Sequence, residues 1–158
     1  MLIVGIGEYA ISNNINEHII TYALGSCVAF MLHCPITKNT ALAHIVLPTS
    51  ELYGQTGYIK NKPGYFADYI VPRLIEDFLE RKNCQKNKLE VFLAGGAISN
   101  NPDDIFKVGT KNVEMIKYLL REYKIIPQKA EVGGLMSRTV KISVASGQVS
   151  IKSHKIII

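Results

Sequence analysis

Apolar residues in this chain fall into short runs punctuated by glycine, proline and polar clusters, and the period of each run predicts an element. Residues 4–10 read as a first strand, irregular at Gly5 and Gly7, and residues 12–17 as a polar turn. Residues 19–24 lead into Gly25-Ser26-Cys27. Residues 28–32 are a continuous apolar run, the pattern of a strand covered on both faces. Residues 34–39 contain Pro35 and Asn39 and read as a connecting turn. Residues 41–47 form a second apolar strand ended by Pro48, and residues 49–62, with Gly54 and Gly57, read as a surface loop.

The period then changes. Between 65 and 81, apolar residues stand at 66, 69, 70, 74, 75, 78 and 79, which is helical spacing. Pro72 interrupts this stretch, and an interior proline costs about 3 kcal/mol, so a kink or two shorter pieces is expected. Residues 89–94 are a strand ending in Gly95-Gly96. Residues 111–123 are a second amphipathic helix, with Val113, Ile116, Leu119, Leu120 and Tyr123 on one side. Residues 130–132 run into Gly133-Gly134, and residues 138–145 and 148–152 form a hairpin around Ser146-Gly147. The apolar tail 156–158 reads as an edge strand or a packing segment. Strands outnumber helices and separate them, which predicts an α+β fold: mixed or antiparallel sheets covered by two main helices, in one domain spanning 1–158.

Composition narrows the class. Apolar residues at 47% and charged residues at 20% describe a globular chain with a real core. The net charge of +5 comes from scattered lysines with no basic run interleaved with aromatics, so the surface is read as solvated rather than nucleic-acid binding. Cys27, Cys34 and Cys84 are odd in number and irregular in spacing, which argues against a disulfide framework. His33 and Cys34 are read as solvated or packing residues at a turn, and Cys84 as a helix-end residue. No cysteine or histidine pair has zinc-like spacing, so neither a metal nor a cofactor is expected. The first residues lack a basic segment and a long apolar stretch, and no window approaches a membrane span. The expected compartment is a reducing one, the cytoplasm.

Chemistry centres on two residues. Gly25-Ser26-Cys27 is a glycine turn at the start of a strand, which exposes a side chain and aims successive N–H groups at one point, as an oxyanion hole requires. His44 lies in an otherwise apolar strand. If strands 28–33 and 40–47 form a hairpin, residues facing each other have numbers that sum to about 73, so Ala29 faces His44 and Cys27 faces Val46. Cys27 and His44 then share a face as diagonal neighbours, roughly 7 Å apart. A one-residue slip in register would separate them. In this arrangement the imidazole takes the thiol proton and stabilises a thiolate ion pair, which attacks a carboxamide. Thr21 can orient the imidazole through its hydroxyl. Each residue also has a plainer reading: Cys27 as a small buried apolar group, His44 as a satisfied core residue, Thr21 as a strand former. The glycine pairs match no phosphate-binding pattern and read as tight turns.

At these residues the chain resembles the chemoreceptor glutamine deamidases, the CheD family. The resemblance rests on residues 21–28 (TYALGSCV) and 43–48 (AHIVLP). It continues through Tyr65-Phe66-Ala67-Asp68, Gly95-Gly96-Ala97, Gly109-Thr110-Lys111-Asn112, residues 133–138 (GGLMSR), and Thr139-Val140 ahead of Ser146-Gly147. These stand in family order along nearly the whole chain; Pro72 departs from the helix former usual at its position. The resemblance implies catalytic roles for Cys27, His44 and Thr21, and a fold similar to deamidating bacterial toxins. It implies glutamines on the cytoplasmic helical bundle of methyl-accepting receptors as substrate, and the phosphatase CheC as a partner. Gly25 and Ser26 belong to the expected oxyanion turn. Asn112 and Arg138 recur in these motifs and read as a turn cap and a backbone-carbonyl donor. A chemotaxis adaptor that acts by docking to receptors or CheC is the competing reading. Receptor methyl-ester hydrolysis suits the same nucleophile. Papain-like proteolysis fits less well, because the Cys-to-His separation is far shorter than in that family.

Overall fold

The computed structural model describes residues 1–51, 61–99 and 104–155. Nine strands form two sheets among these residues. They are β1 (Leu2–Ile3), β2 (Tyr9–Ser12), β3 (His18–Leu24), β4 (Val28–His33), β5 (Thr40–Ile45), β6 (Glu90–Gly95), β7 (Lys129–Val132), β8 (Met136–Ser143) and β9 (Val149–Lys155). One sheet runs β1-β3-β8-β9 and the other β2-β5-β4-β6-β7. Both are mixed: β1 pairs with β3, and β6 with β7, in parallel, while the remaining pairs are antiparallel. Two α-helices of more than one turn among the described residues, α1 (Ala67–Glu76) and α2 (Val108–Glu122), complete the α+β architecture.

The central position of β4 explains its unbroken apolar run. It lies between β5 and β6, and every residue of both β4 and β5 is buried. Alternate side chains enter two cores. Val28, Phe30, Leu32, Ala43 and Ile45 pack with α1 and α2 on one face of the five-stranded sheet. Ala29, Met31 and Leu42 pack on the other face with Ile19, Val140 and Ile142 of the four-stranded sheet. The molecule is thus a sheet sandwich with helices covering one outer face.

The first strand divides where glycines were noted. Residues 2–3 join one sheet and residues 9–12 the other, so the chain changes layer across Gly5–Gly7. Gly7 adopts a φ of 75°, in the left-handed region that glycine enters without strain. This crossover is tied to the centre of β5: the Gly7 N–H donates to the His44 carbonyl at 3.0 Å, and the His44 N–H donates to the Glu8 carbonyl at 2.9 Å. The expected 49–62 loop is described only at its ends, and the 156–158 tail lies outside the described residues.

Two expectations need correction. Pro72 does not break its helix. The α-helical turns run through it to Glu76, and the pitch changes only at the π-helical turn Asp77–Arg81. Cys34 and Cys84 are not independent residues: they form a disulfide across 50 positions, with Cα atoms 6.1 Å apart. The bond links the end of β4 to the segment after the π turn, and both cysteines sit in the helix-side core. An odd cysteine count leaves room for one pair and one free thiol, and spacing along the chain does not reveal which strand end meets which helix end. His33 is a packing residue, buried at the end of β4, with Nδ1 at 2.8 Å from Thr40 Oγ1.

A cysteine turn and a threonine-held histidine

The β4–β5 hairpin has the expected register. Ala29 faces His44 and Val28 faces Ile45. The ladder ends there, and Cys27 does not continue it toward Val46. Its carbonyl instead accepts the Gly96 N–H at 2.8 Å, which draws the turn toward the glycine pair after β6. Cys27 packs with the inter-sheet core that contains Ala29, the face to which His44 also belongs. Its thiol is free and part-exposed.

A bulge delivers the chain to this turn. Pairing of β3 with β8 is irregular between Thr21 and Leu24, and Ala23 sits at a φ of 55°. Tyr22 and Ala23 both face solvent, and the chain then leaves the four-stranded sheet for the five-stranded one. The three carbonyls of the turn are all anchored inward. Gly25 O accepts from Ala97 N–H at 2.8 Å, Ser26 O from Asn112 Nδ2 at 3.0 Å, and Cys27 O from Gly96 N–H. Among the described residues, none accepts a hydrogen bond from the N–H groups of Gly25, Ser26 or Cys27. Carbonyls held by the protein and amides without a partner among the described residues are the combination an anion-binding turn requires.

Thr21 and His44 bridge the two layers. Thr21 Oγ1 lies 2.6 Å from His44 Nδ1 and donates to the Val4 carbonyl at 2.7 Å. A carbonyl only accepts, so the hydroxyl proton is committed to Val4. Thr21 therefore accepts from His44, which places the ring proton on Nδ1 and leaves the lone pair on Nε2. Both residues are buried, at 0% and 1% exposure, so neither exchanges these partners for water. Burial pushes the His44 imidazole down to about 4 and the Cys27 thiol up to about 11. In both residues burial disfavours the charged form, so desolvation works against the expected thiolate–imidazolium pair before substrate arrives.

Two residues without an assigned chemistry brace the same region. Asn112 is fully buried near the start of α2, and its Nδ2 also donates to the Val46 carbonyl at 2.9 Å. It is a double carbonyl donor, not a turn cap. Arg138 is the carbonyl donor it was read to be, with Nη1 at 3.1 Å from Gly95 O and Nη2 at 2.8 Å from Gly133 O. Its Nε lies 3.5 Å from Glu131 Oε2, an ionic contact too long for a good hydrogen bond. Gly109 lets α2 approach: a Cβ there would collide with the Ala97 carbonyl oxygen. Sequence spacing gave no sign of the Asn112 contacts, which join segments 86 and 66 positions away.

A family profile described as CheD chemotactic sensory transduction matches residues 46–153. The "Probable chemoreceptor glutamine deamidase CheD" of Syntrophotalea carbinolica is 38% identical over 152 residues, 95% of this chain and 92% of its own length. This chain belongs to the CheD family. The "Chemoreceptor glutamine deamidase CheD" of Thermotoga maritima is 35% identical over 150 residues, covering 95% of this chain and 90% of its own. The profile match begins beyond Cys27 and His44, so for this CheD chain the site rests on register and hydrogen bonds.

His44 also makes stability pH-dependent. Its imidazole titrates at 6.5 when free and at about 4 in the fold, so the unfolded chain takes up the proton first as pH falls. The stabilisation is complete above 6.5 and is lost between 6.5 and about 4; at full effect it is about 3 kcal/mol. His33, also lowered by burial and then by Lys38, adds a loss of the same sign. Urea unfolding at pH 7 and pH 4.5 is expected to show this drop, and His44→Gln to lack the larger part of it. An equal drop in that variant would remove His44 as its source.

Proposed function

We propose that this CheD chain, as one domain spanning 1–158, hydrolyses glutamine side-chain amides on the cytoplasmic bundle of methyl-accepting chemoreceptors. Cys27 is the nucleophile, His44 the base and Thr21 its orienter. The observation that carries this reading is the tautomer fixed at His44: with Nδ1–H held by Thr21, Nε2 is the ring atom free to accept a proton from a substrate-side partner. The relatives' names supply the substrate class.

The steps start from a neutral thiol and a neutral imidazole. On arrival of the carboxamide, His44 Nε2 takes the Cys27 proton as sulfur attacks the amide carbon, so charge separates only while the bond forms. The oxygen becomes an oxyanion, and the N–H groups of Gly25, Ser26 and Cys27, unpartnered among the described residues, are the donors available to the charge that develops. The imidazolium returns its proton to the amide nitrogen, the C–N bond breaks, and ammonia leaves a thioester. His44 then deprotonates water, which attacks the thioester carbon; the sulfur departs, takes the proton and leaves a glutamate side chain. Exclusion of water around the buried ring strengthens each of these interactions.

The substrate places the protein in the cytoplasm, and no helix among the described residues is long and apolar enough to cross a membrane. CheC is the protein partner consistent with this reading. Ammonia release from a receptor cytoplasmic fragment, with mass spectrometry of its glutamines, tests the activity. Methanol released from methylated fragment in place of ammonia would shift the assignment to ester hydrolysis, and neither product would leave the adaptor reading.

A further inference from the structure

We propose that Asn112 is a positioning residue for this reaction, acting as a clamp that sets the cysteine turn against the histidine strand. The inference rests on the deamidase reading and deepens it. One amide nitrogen donates to Ser26 O at 3.0 Å and Val46 O at 2.9 Å. The first carbonyl directly precedes Cys27, and the second lies two residues beyond His44. The β4–β5 ladder, which would otherwise hold these segments together, has ended at Val28 and Ile45. Asn112 therefore replaces the missing rungs with a side chain from the helix.

Its chemistry suits that place. Two carbonyl oxygens converge on one point, and a group with two N–H donors satisfies both. Asn112 Oδ1 is buried without a hydrogen-bond partner. Turning the amide over would set that oxygen against two carbonyl oxygens, so the donor orientation is the only favourable one. An apolar residue would fill the space without leaving an orphaned acceptor, so core packing alone does not account for asparagine here. Ile116 and Leu120, on the same buried face of the helix, are apolar. The clamp also holds the Ser26 carbonyl inward, which keeps the peptide between Ser26 and Cys27 turned with its N–H outward.

The test compares Asn112→Ala, Asn112→Asp and Leu120→Ala on a receptor fragment. Leu120→Ala loosens the same helix without touching either carbonyl. Asn112→Ala is expected to lower kcat by roughly tenfold to a hundredfold with KM within about twofold, since small misplacements of reacting groups carry losses of this size. Asn112→Asp keeps the volume and, while its carboxyl is protonated, one donor. Its kcat is expected to fall as pH rises and the carboxyl ionises, a dependence the wild type lacks. Iodoacetamide supplies a readout that needs no substrate. Releasing the turn exposes Cys27, so alkylation at pH 8 is expected to be faster in Asn112→Ala than in the wild type or Leu120→Ala. If kcat in both Asn112 variants falls no further than in Leu120→Ala, the clamp is not a positioning device. If wild-type protein releases no ammonia, the deamidase reading fails separately. The alkylation comparison then decides alone: faster labelling supports the clamp, and unchanged labelling overturns it.

Discussion

Replacing Cys27 with alanine is expected to reduce ammonia release from a receptor fragment by at least about a thousandfold, because the turn then has no thiol and only the weakly nucleophilic hydroxyl of Ser26 remains. The fold should survive. Cys27 lies outside β4, is part-exposed and bonds the protein through its backbone carbonyl, which alanine retains. Binding should survive with it, so the variant should capture fragment and hold it. Serine at this position is the sharper form of the test. Its hydroxyl is far more basic than a thiolate once ionised, and His44 is a weak base at about 4. A serine variant with more than a trace of activity would mean that the histidine is a stronger base in the complex than burial makes it in the free protein. A fully active alanine variant would remove Cys27 from the mechanism.

The second large effect belongs to His44. Substitution by glutamine keeps a donor for Thr21 but offers no group that can take and return a proton, so kcat is expected to fall by about a hundredfold to ten-thousandfold. Its pH dependence should also change form. In the wild type, kcat/KM should fall only as the imidazole protonates near 4 at the acid end, and only as the thiol ionises near 11 at the alkaline end. Across the neutral range it should be flat. Without the histidine, residual activity should climb with pH as free thiolate accumulates, so the ratio of wild type to variant narrows on the alkaline side. A wild-type profile that rises through pH 6 to 8 would instead report a site whose sulfur and ring are both more hydrated than this structure places them.

The hairpin was legible in the sequence for a clear reason. A six-residue turn containing proline separates two unbroken apolar runs, and buried strands tolerate no slip, so the pairing of Ala29 with His44 followed from counting. The layer change at Gly5–Gly7 was visible only as an irregularity, because glycine marks where a chain can turn and not which sheet it joins next. The disulfide was misread because pairing depends on where β4 and the π turn finish in space. Asn112 and Arg138 drew attention only through the family resemblance. Their contacts run through backbone carbonyls, and any residue supplies a carbonyl, so no side-chain pattern records the partner. Thr21 reads as an orienter of His44 from its place before the turn, whereas its hydrogen bond to the Val4 carbonyl, which fixes the ring tautomer, spans 17 positions and leaves no mark in the sequence.

Thr21 and His44 stand on different sheets, and this has a consequence for maturation. A partly formed chain that had assembled only the five-stranded layer would carry the sulfur and the ring without the partner that selects the ring's proton-bearing atom. On the proposed mechanism, such a species would hold the productive tautomer only part of the time and would hydrolyse amides poorly. Full hydrolytic competence would then arise when both layers close on one another, so immature copies would do less unintended damage to their neighbours.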